Sequence, residues 1–457
     1  MNNAYDLVQR SAKQTLPLPP EIKGNLIVGV MPEFNRDILG FVRRGRDLGD
    51  VVRARFFYVT AYFLYHPVDI EYVLSTNAKN FVKSMSLHSN FFQRLVGNGL
   101  LTSEGEFWRR QRRLAQPGFH RQRISSYAEV MVEYARRLIS SWRPGDERDI
   151  HRDMLRLSLE IVVKTLFNSN VSEDADRVER VMSELVKPFA SQATLRWIVN
   201  NRLPTRAHRR FHQLAAEIDE IIYRIIGERR ASGRDEGDLL SMLLAAQDED
   251  GSQMSDKQLR DEVITLFLAG QETTALTLSW TWYLLAQHPE VEKKFHEEID
   301  QLLDGNAPTI ADVPRLKYTE MIAKESMRLY PPGYGIGREA IEACEIGGYR
   351  VPAKTQVFMF QWATQRDPRF FENPDEFCPD RWTEELTSTL PKYAYFTFGG
   401  GPRICIGNTF AMMEIILVLA TIGQKLRFSL ASDRPVEIEP AMSLRPRYGI
   451  VVVVKNR

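Results

Sequence analysis

Helices with a few small β-sheets packed at one side, a mainly α (α+β) architecture, are what this sequence predicts. Three observations predict it. Most of residues 105–330 carries apolar residues at helical spacing. β-branched and aromatic runs are confined to stretches near 51–65, 345–360 and 435–454. No Gly-rich nucleotide fingerprint opens a βαβ unit, which argues against a doubly wound sheet. The 457 residues are 44% hydrophobic and 26% charged, enough apolar material for a large core. A net charge of +1 gives no global pull toward nucleic acid. With no repeats, low-complexity tract or clear linker, one domain over 1–457 is expected.

The N-terminal segment lacks the apolar core of a signal peptide. Its prolines (Pro17, Pro19, Pro20) and the "NLIVGV" run read as a packed arm, with peripheral membrane contact as the other option. Residues 51–65, "VVRARFFYVTAYFLY", alternate in part and read as a hairpin. The helical region that follows is broken at Pro204 and by the polar loop Ala231 to Asp238. A long helix then opens with a capping box, Ser255 and Gln258, and Pro289 stops it after Gln287. At 1.5 Å per residue it is roughly 50 Å long. Its apolar middle carries Glu272, Thr273 and Thr274, which cost free energy there unless they are paired or used. Strand signals return at 345–360 and 435–454. The longest apolar run, Ile415 to Ile422, is far short of the roughly 20 residues of a membrane span. The expectation is a cytoplasmic protein with free thiols and no transmembrane anchor.

Cys405 is one of three cysteines, with Cys344 and Cys378, too few for a disulfide framework. It follows Gly399, Gly400 and Gly401, lies two residues past Arg403, and precedes an apolar helix starting near Asn408. A helix start favours the thiolate, the form that binds metals. Glycines permit a tight turn, Gly407 leaves room beside the backbone, and Arg403 offers a planar fork to a carboxylate. Together they suit a haem held by a cysteine. A structural cysteine buried in a glycine turn is the plain alternative.

The segment Phe398-x-x-Gly401-x-Arg403-x-Cys405-x-Gly407 resembles the haem-ligand signature of the cytochrome P450 family. Four further stretches resemble that family in its order: "WRRQR" (Trp108 to Arg112), "AGQETT" (Ala269 to Thr274), "ESMR" (Glu325 to Arg328) and "FCPDRW" (Phe377 to Trp382). The resemblance implies the cytochrome P450 fold, with the long helix crossing haem b, and Cys405 as its thiolate ligand. It implies haem contacts at Trp108, Arg112, Arg338, Phe398, Arg403, Gly407 and Ala269. It implies proton delivery by Glu272 and Thr273, and a structural triad of Glu325, Arg328 and Arg381.

The implied activity is a monooxygenase that inserts one atom of O2 into a C–H bond of a lipophilic substrate, a fatty acid or terpenoid. Pocket candidates are Phe91, Phe92, Leu95, Leu100, Tyr334 and Ile336, with the helix pair around 178–230 as a further wall. The chain ends at Arg457 just after a strand, which is read as leaving no length for a reductase domain. Electrons are therefore expected from a ferredoxin- or flavodoxin-type protein with its own reductase. The arginines Arg109, Arg110 and Arg113 would attract such a donor, and the chain is expected to be a monomer. A peroxide-driven peroxygenase and a non-catalytic haem-thiolate sensor or carrier are the other readings.

Overall fold

The computed structural model describes residues 16–84, 87, 90–120, 124–167, 180, 181, 184, 206–247 and 251–457. Helices dominate it, with small sheets. Among the described residues no helix is long and apolar enough to cross a membrane. The chain divides into two compact units. One is built from 1–89, 333–376 and 384–405, the other from 90–332, 377–383 and 406–457.

The first unit holds helices α1 (Met31–Arg36), α2 (Ile38–Arg46), α3 (Pro67–Glu71), α13 (Gln361–Thr364) and α14 (Glu384–Thr389). Its strands are β1 (Glu21–Ile22), β2 (Val51–Phe56), β3 (Val59–Leu64), β4 (Phe81–Lys83), β6 (Ile336–Ala340), β7 (Cys344–Ile346), β8 (Tyr349–Val351) and β9 (Gln356–Met359). Six of them form one sheet in the order β1-β2-β3-β9-β6-β4, and β7 and β8 pair separately. The hairpin read at 51–65 is β2 and β3, antiparallel with Val51 opposite Leu64. Strand alternation turns Tyr62 and Leu64 into an apolar cluster with Val357, Met359, Tyr393 and Phe396. Backbone bonds tie the N-terminal arm to this unit: Pro17 O accepts from Arg350 N at 3.0 Å and Pro20 O from Arg53 N at 2.9 Å.

The second unit holds α4 (Asn90–Val96), α5 (Gly105–Ala115), α6 (Ala128–Ile139), α7 (Ile150–Phe167), α8 (Arg206–Ser232), α9 (Leu239–Ala245), α10 (Asp256–Gln287), α11 (Pro289–Leu303), α12 (Lys317–Leu329) and α15 (Asn408–Gly423). Its sheets are β10 (Leu426–Leu430), β13 (Val451–Asn456) and β5 (Glu147–Asp149) in the order β10-β13-β5, and the pair β11 (Ile438–Pro440) and β12 (Leu444–Pro446). Helix α10 spans 32 residues. The capping box forms as expected: Ser255 Oγ accepts from Gln258 N at 3.3 Å, and Gln258 Oε1 from Ser255 N at 2.9 Å. Helix α15 is apolar on nearly every side, with Glu414 as the charged exception, and is accordingly buried from Met413 through Gly423. Trp280 of α10 is fully buried, stacks on Tyr330 at 4.2 Å and donates from Nε1 to Leu444 O at 3.0 Å.

Strands β1, β4 and β6 lie outside the three stretches read as strand-rich, and two further strands do as well. β5 interrupts the stretch read as helical, and β10 precedes the strand region expected from residue 435. Both exist through pairing with β13, which no local pattern encodes. Pro204 and most of the 178–205 stretch lie outside the described residues.

Candidate active site

In the first unit, the loop from Phe396 to Cys405 is closed by its own backbone. Gly399 N donates to Phe396 O at 2.7 Å, Ile404 N to Gly401 O at 3.1 Å and Cys405 N to Phe398 O at 2.9 Å. Gln365 Oε1 anchors it, accepting from Phe396 N at 3.2 Å. Gly401 has φ +62°, and a Cβ there would collide with Leu74 O, so the turn needs glycine on two counts. The loop leaves Cys405 exposed, unusual for one of the most buried residue types. Three residues on, Asn408 starts α15 with Gly407 as its N-cap.

Strand β6 borders this loop. Ile336 Cδ1 lies 3.6 Å from the Cβ position of Gly399. Arg338 is two residues along and shares that face by strand alternation, half-buried. Tyr334 packs against Phe360 at 6.1 Å, and burial pushes its hydroxyl's pKa up. Phe398 and Arg403 are half-buried.

In the second unit, α10 is buried along most of its length, but Ala269 and Thr273, one turn apart, are exposed on one stripe. Thr273 Oγ1 donates to Ala269 O at 2.6 Å. Thr274, the next residue, is buried. Ser443, in the turn between β11 and β12, donates to Glu272 Oε1 at 2.6 Å. Burial pushes the Glu272 carboxyl above its usual range, while Ser443 and the nearby Arg445 pull the other way. Sequence reading missed Ser443, which lies 171 residues from Glu272. On α5, Trp108 and Arg112 are one turn apart and half-buried, while Gln111 between them is fully buried. Leu95 and Leu100 are buried. Phe91 and Phe92 lie on α4, but their side chains fall outside the described residues.

The second unit also holds a fully buried carboxylate surrounded by donors. Glu325 of α12 accepts from Arg328 Nε and Nη2, both at 2.8 Å. It accepts from Arg381 Nε at 2.8 Å, Trp382 Nε1 at 3.0 Å and Cys378 N at 3.1 Å. The last two donors were not read from the sequence. A buried charge needs this degree of compensation.

These residues fit a haem with a cysteine ligand. In the first unit an exposed sulfur stands on a glycine turn, and Arg338 and Arg403 supply guanidinium groups suited to carboxylates; in the second unit Arg112 of α5 is a group of the same kind. Among the described residues no cluster of three or more His, Cys, Asp or Glu could hold a bare metal ion.

The family model for cytochrome P450 matches residues 19–454. Cyclooctatin synthase of Streptomyces melanosporofaciens is 38% identical, over 87% of this chain and 86% of its own. Pentalenene oxygenase of Streptomyces avermitilis is 34% identical, over 92% and 91%. The solved heme domain of cytochrome P450DA superposes with a TM-score of 0.88 at 29% identity, covering 97% of this chain and 98% of that one. A family match from residue 19 to residue 454, together with relatives alike along most of their length, shows that this chain belongs to the cytochrome P450 family.

Proposed function

We propose that this P450 enzyme is a monooxygenase that inserts one atom of O2 into a C–H bond of a terpenoid-type lipophilic substrate, with electrons from a separate protein. The observation that carries the reading is Cys405, exposed on a closed glycine turn at the start of α15. Relatives named cyclooctatin synthase, cyclooctat-9-en-7-ol 5-monooxygenase and pentalenene oxygenase favour a terpenoid over a fatty acid.

Cys405 would hold haem b through its thiolate, and the whole chain acts as one catalytic domain. Bound haem supplies O–O cleavage and C–H oxidation, which a cysteine ligand favours by pushing electron density toward the iron. Arg112, Arg338 and Arg403 would hold its carboxylates, and Trp108, Phe398, Gly407 and Ala269 are the other residues proposed to contact it. Glu272 carries protons: its raised pKa keeps the carboxyl closer to the neutral range than an exposed glutamate. Thr273 holds a proton donor at Oγ1 that rotation frees from Ala269 O, and its lone pairs can accept from water. Glu325, Arg328 and Arg381 are structural. Leu95, Leu100, Tyr334 and Ile336 are the apolar side chains proposed to meet the substrate. The donor is a ferredoxin- or flavodoxin-type protein drawn to the α5 arginines. The protein works in the cytoplasm as a monomer.

The test is a screen of cyclic terpene hydrocarbons, terpene alcohols and fatty acids for shifts in the haem spectrum, followed by turnover under isotope-labelled O2. One labelled oxygen atom in a terpenoid product is expected. Turnover confined to fatty acids would overturn the substrate class, and product oxygen drawn from water would overturn the reaction.

A further inference from the structure

Three consecutive residues of α10 grip the backbone of one short segment. Arg260 Nη2 donates to Leu95 O at 2.9 Å, Asp261 Oδ2 accepts from Asn98 N at 2.9 Å, and Glu262 Oε2 accepts from Leu100 N at 3.0 Å. Successive helix residues point about 100° apart, so the 95–100 segment must curve around the side of α10 to meet all three. It approaches closely. Gly97 has φ +64°, and a Cβ there would collide with the Asp261 carboxylate, while one at Gly99 would meet the Asp261 backbone and Thr265 Oγ1. Thr102 Oγ1 donates to Gly97 O at 2.7 Å and closes the far side.

Helix α8 joins the same network. Arg260 Nε donates to Asp219 Oδ1 at 2.7 Å, and Arg94 Nη1 to Asp219 Oδ2 at 2.9 Å. Lys257 Nζ donates to Asp261 Oδ2 at 3.0 Å. The cations Arg94, Lys257 and Arg260 thus pair with the carboxylates Asp219 and Asp261, while Glu262 accepts from the backbone of Leu100. Arg260, Asp261 and Glu262 are all buried. Buried ion pairs add little stability over apolar packing of the same volume, so their presence calls for another use. What directed charge-assisted bonds provide is a single position for the loop.

We propose that Arg260, Asp261 and Glu262 are positioning residues that fix the 95–100 segment as one wall of the substrate pocket, and that Asp219 and Arg94 couple this wall to α8. The proposal rests on the reading of Leu95 and Leu100 as pocket residues. The strip sets which shapes of lipophilic ligand enter: small ones pass, and bulky ones require its bonds to open.

The test uses the haem-loaded full chain and two haem-binding probes, imidazole and the bulky lipophilic azole clotrimazole. Asp219→Asn and Glu262→Leu should speed clotrimazole association about tenfold or more, the scale of a lost bond to a charged group, with imidazole association unchanged. Hydrogen exchange at the amides of Asn98 and Leu100 should accelerate in parallel. Glu262→Gln keeps an oxygen acceptor for Leu100 N–H and should stay close to wild type, which a purely electrostatic role would not produce. Variants that retain a thiolate-type carbon monoxide spectrum but show unchanged clotrimazole rates and unchanged exchange would overturn the proposal. Should Glu262→Leu or Asp219→Asn fail to fold, Arg94→Ala removes only the less buried bond and must show the same direction of change. A wild-type holoenzyme that binds neither azole at the haem would instead defeat the functional reading.

Discussion

Thr273 and Thr274 stand side by side on α10, yet only Thr273 is exposed, and its hydroxyl donates to Ala269 O at 2.6 Å. That hydroxyl can hold a water as well as its helix bond. On the proposed role, removing it should leave ligand and electron supply intact and spoil the proton route. Thr273→Ala should therefore consume reductant at a comparable rate while giving several-fold less product and more hydrogen peroxide. Thr273→Ser should be milder and Thr274→Ala better coupled. The measurement is product formed per reductant consumed; equal coupling in wild type and Thr273→Ala would reduce Thr273 to a helix-packing residue. The sequence singled out Thr273 and Glu272 as polar groups in an apolar helix. It could not show Ser443 beside Glu272, because that contact depends on a turn 171 residues away.

Helix α15 carries a second buried carboxyl that no proposed step uses. Glu414 is fully buried, neither of its oxygens has a hydrogen-bond partner, and burial pushes its pKa up to about 8, with Ser158 of α7 a small opposing influence that falls short of a formed bond. A folded value above the ordinary 4.5 means that the unfolded chain releases this proton more readily. The stability it contributes is complete below about pH 4.5 and is lost as pH rises through about 8. Glu414→Gln should change stability little at pH 5 and raise it at pH 9 by at most about 5 kcal/mol, the linkage value of roughly 3.5 pKa units. Denaturant midpoints of the holoenzyme at both pH values check this; parallel pH profiles for wild type and variant would contradict it. The capping box at Ser255, the stop at Pro289 and the apolar run of α15 were legible because each is written within a few residues. β5 was not, since three residues become a strand only by pairing with β13. The grip of α10 on Leu95 was equally hidden, its partners lying 165 residues apart.

For the protein as a whole, two relations to other molecules follow from the surface and the cysteine loop. On α5, Arg109 and Arg113 are exposed, and Arg109 pairs with Glu106. A basic face steers an acidic donor, and salt screens it over roughly 8–10 Å. Arg113→Glu should slow reduction by an acidic ferredoxin several-fold, most at low salt, with substrate titrations unchanged; reduction rates indifferent to the reversal would make this an ordinary solvated face. The central claim is that Cys405 alone ligates haem as a thiolate. Cys344 begins β7, and Cys378 donates its N–H to Glu325 Oε1 at 3.1 Å; neither stands on a glycine turn before a helix start. The most direct measurement is the carbon monoxide difference spectrum of the reduced holoenzyme beside Cys405→Ala, Cys344→Ala and Cys378→Ala. A thiolate-type spectrum in the wild type and the latter two, lost only in Cys405→Ala, is predicted; a thiolate-type spectrum surviving in Cys405→Ala would contradict the assignment.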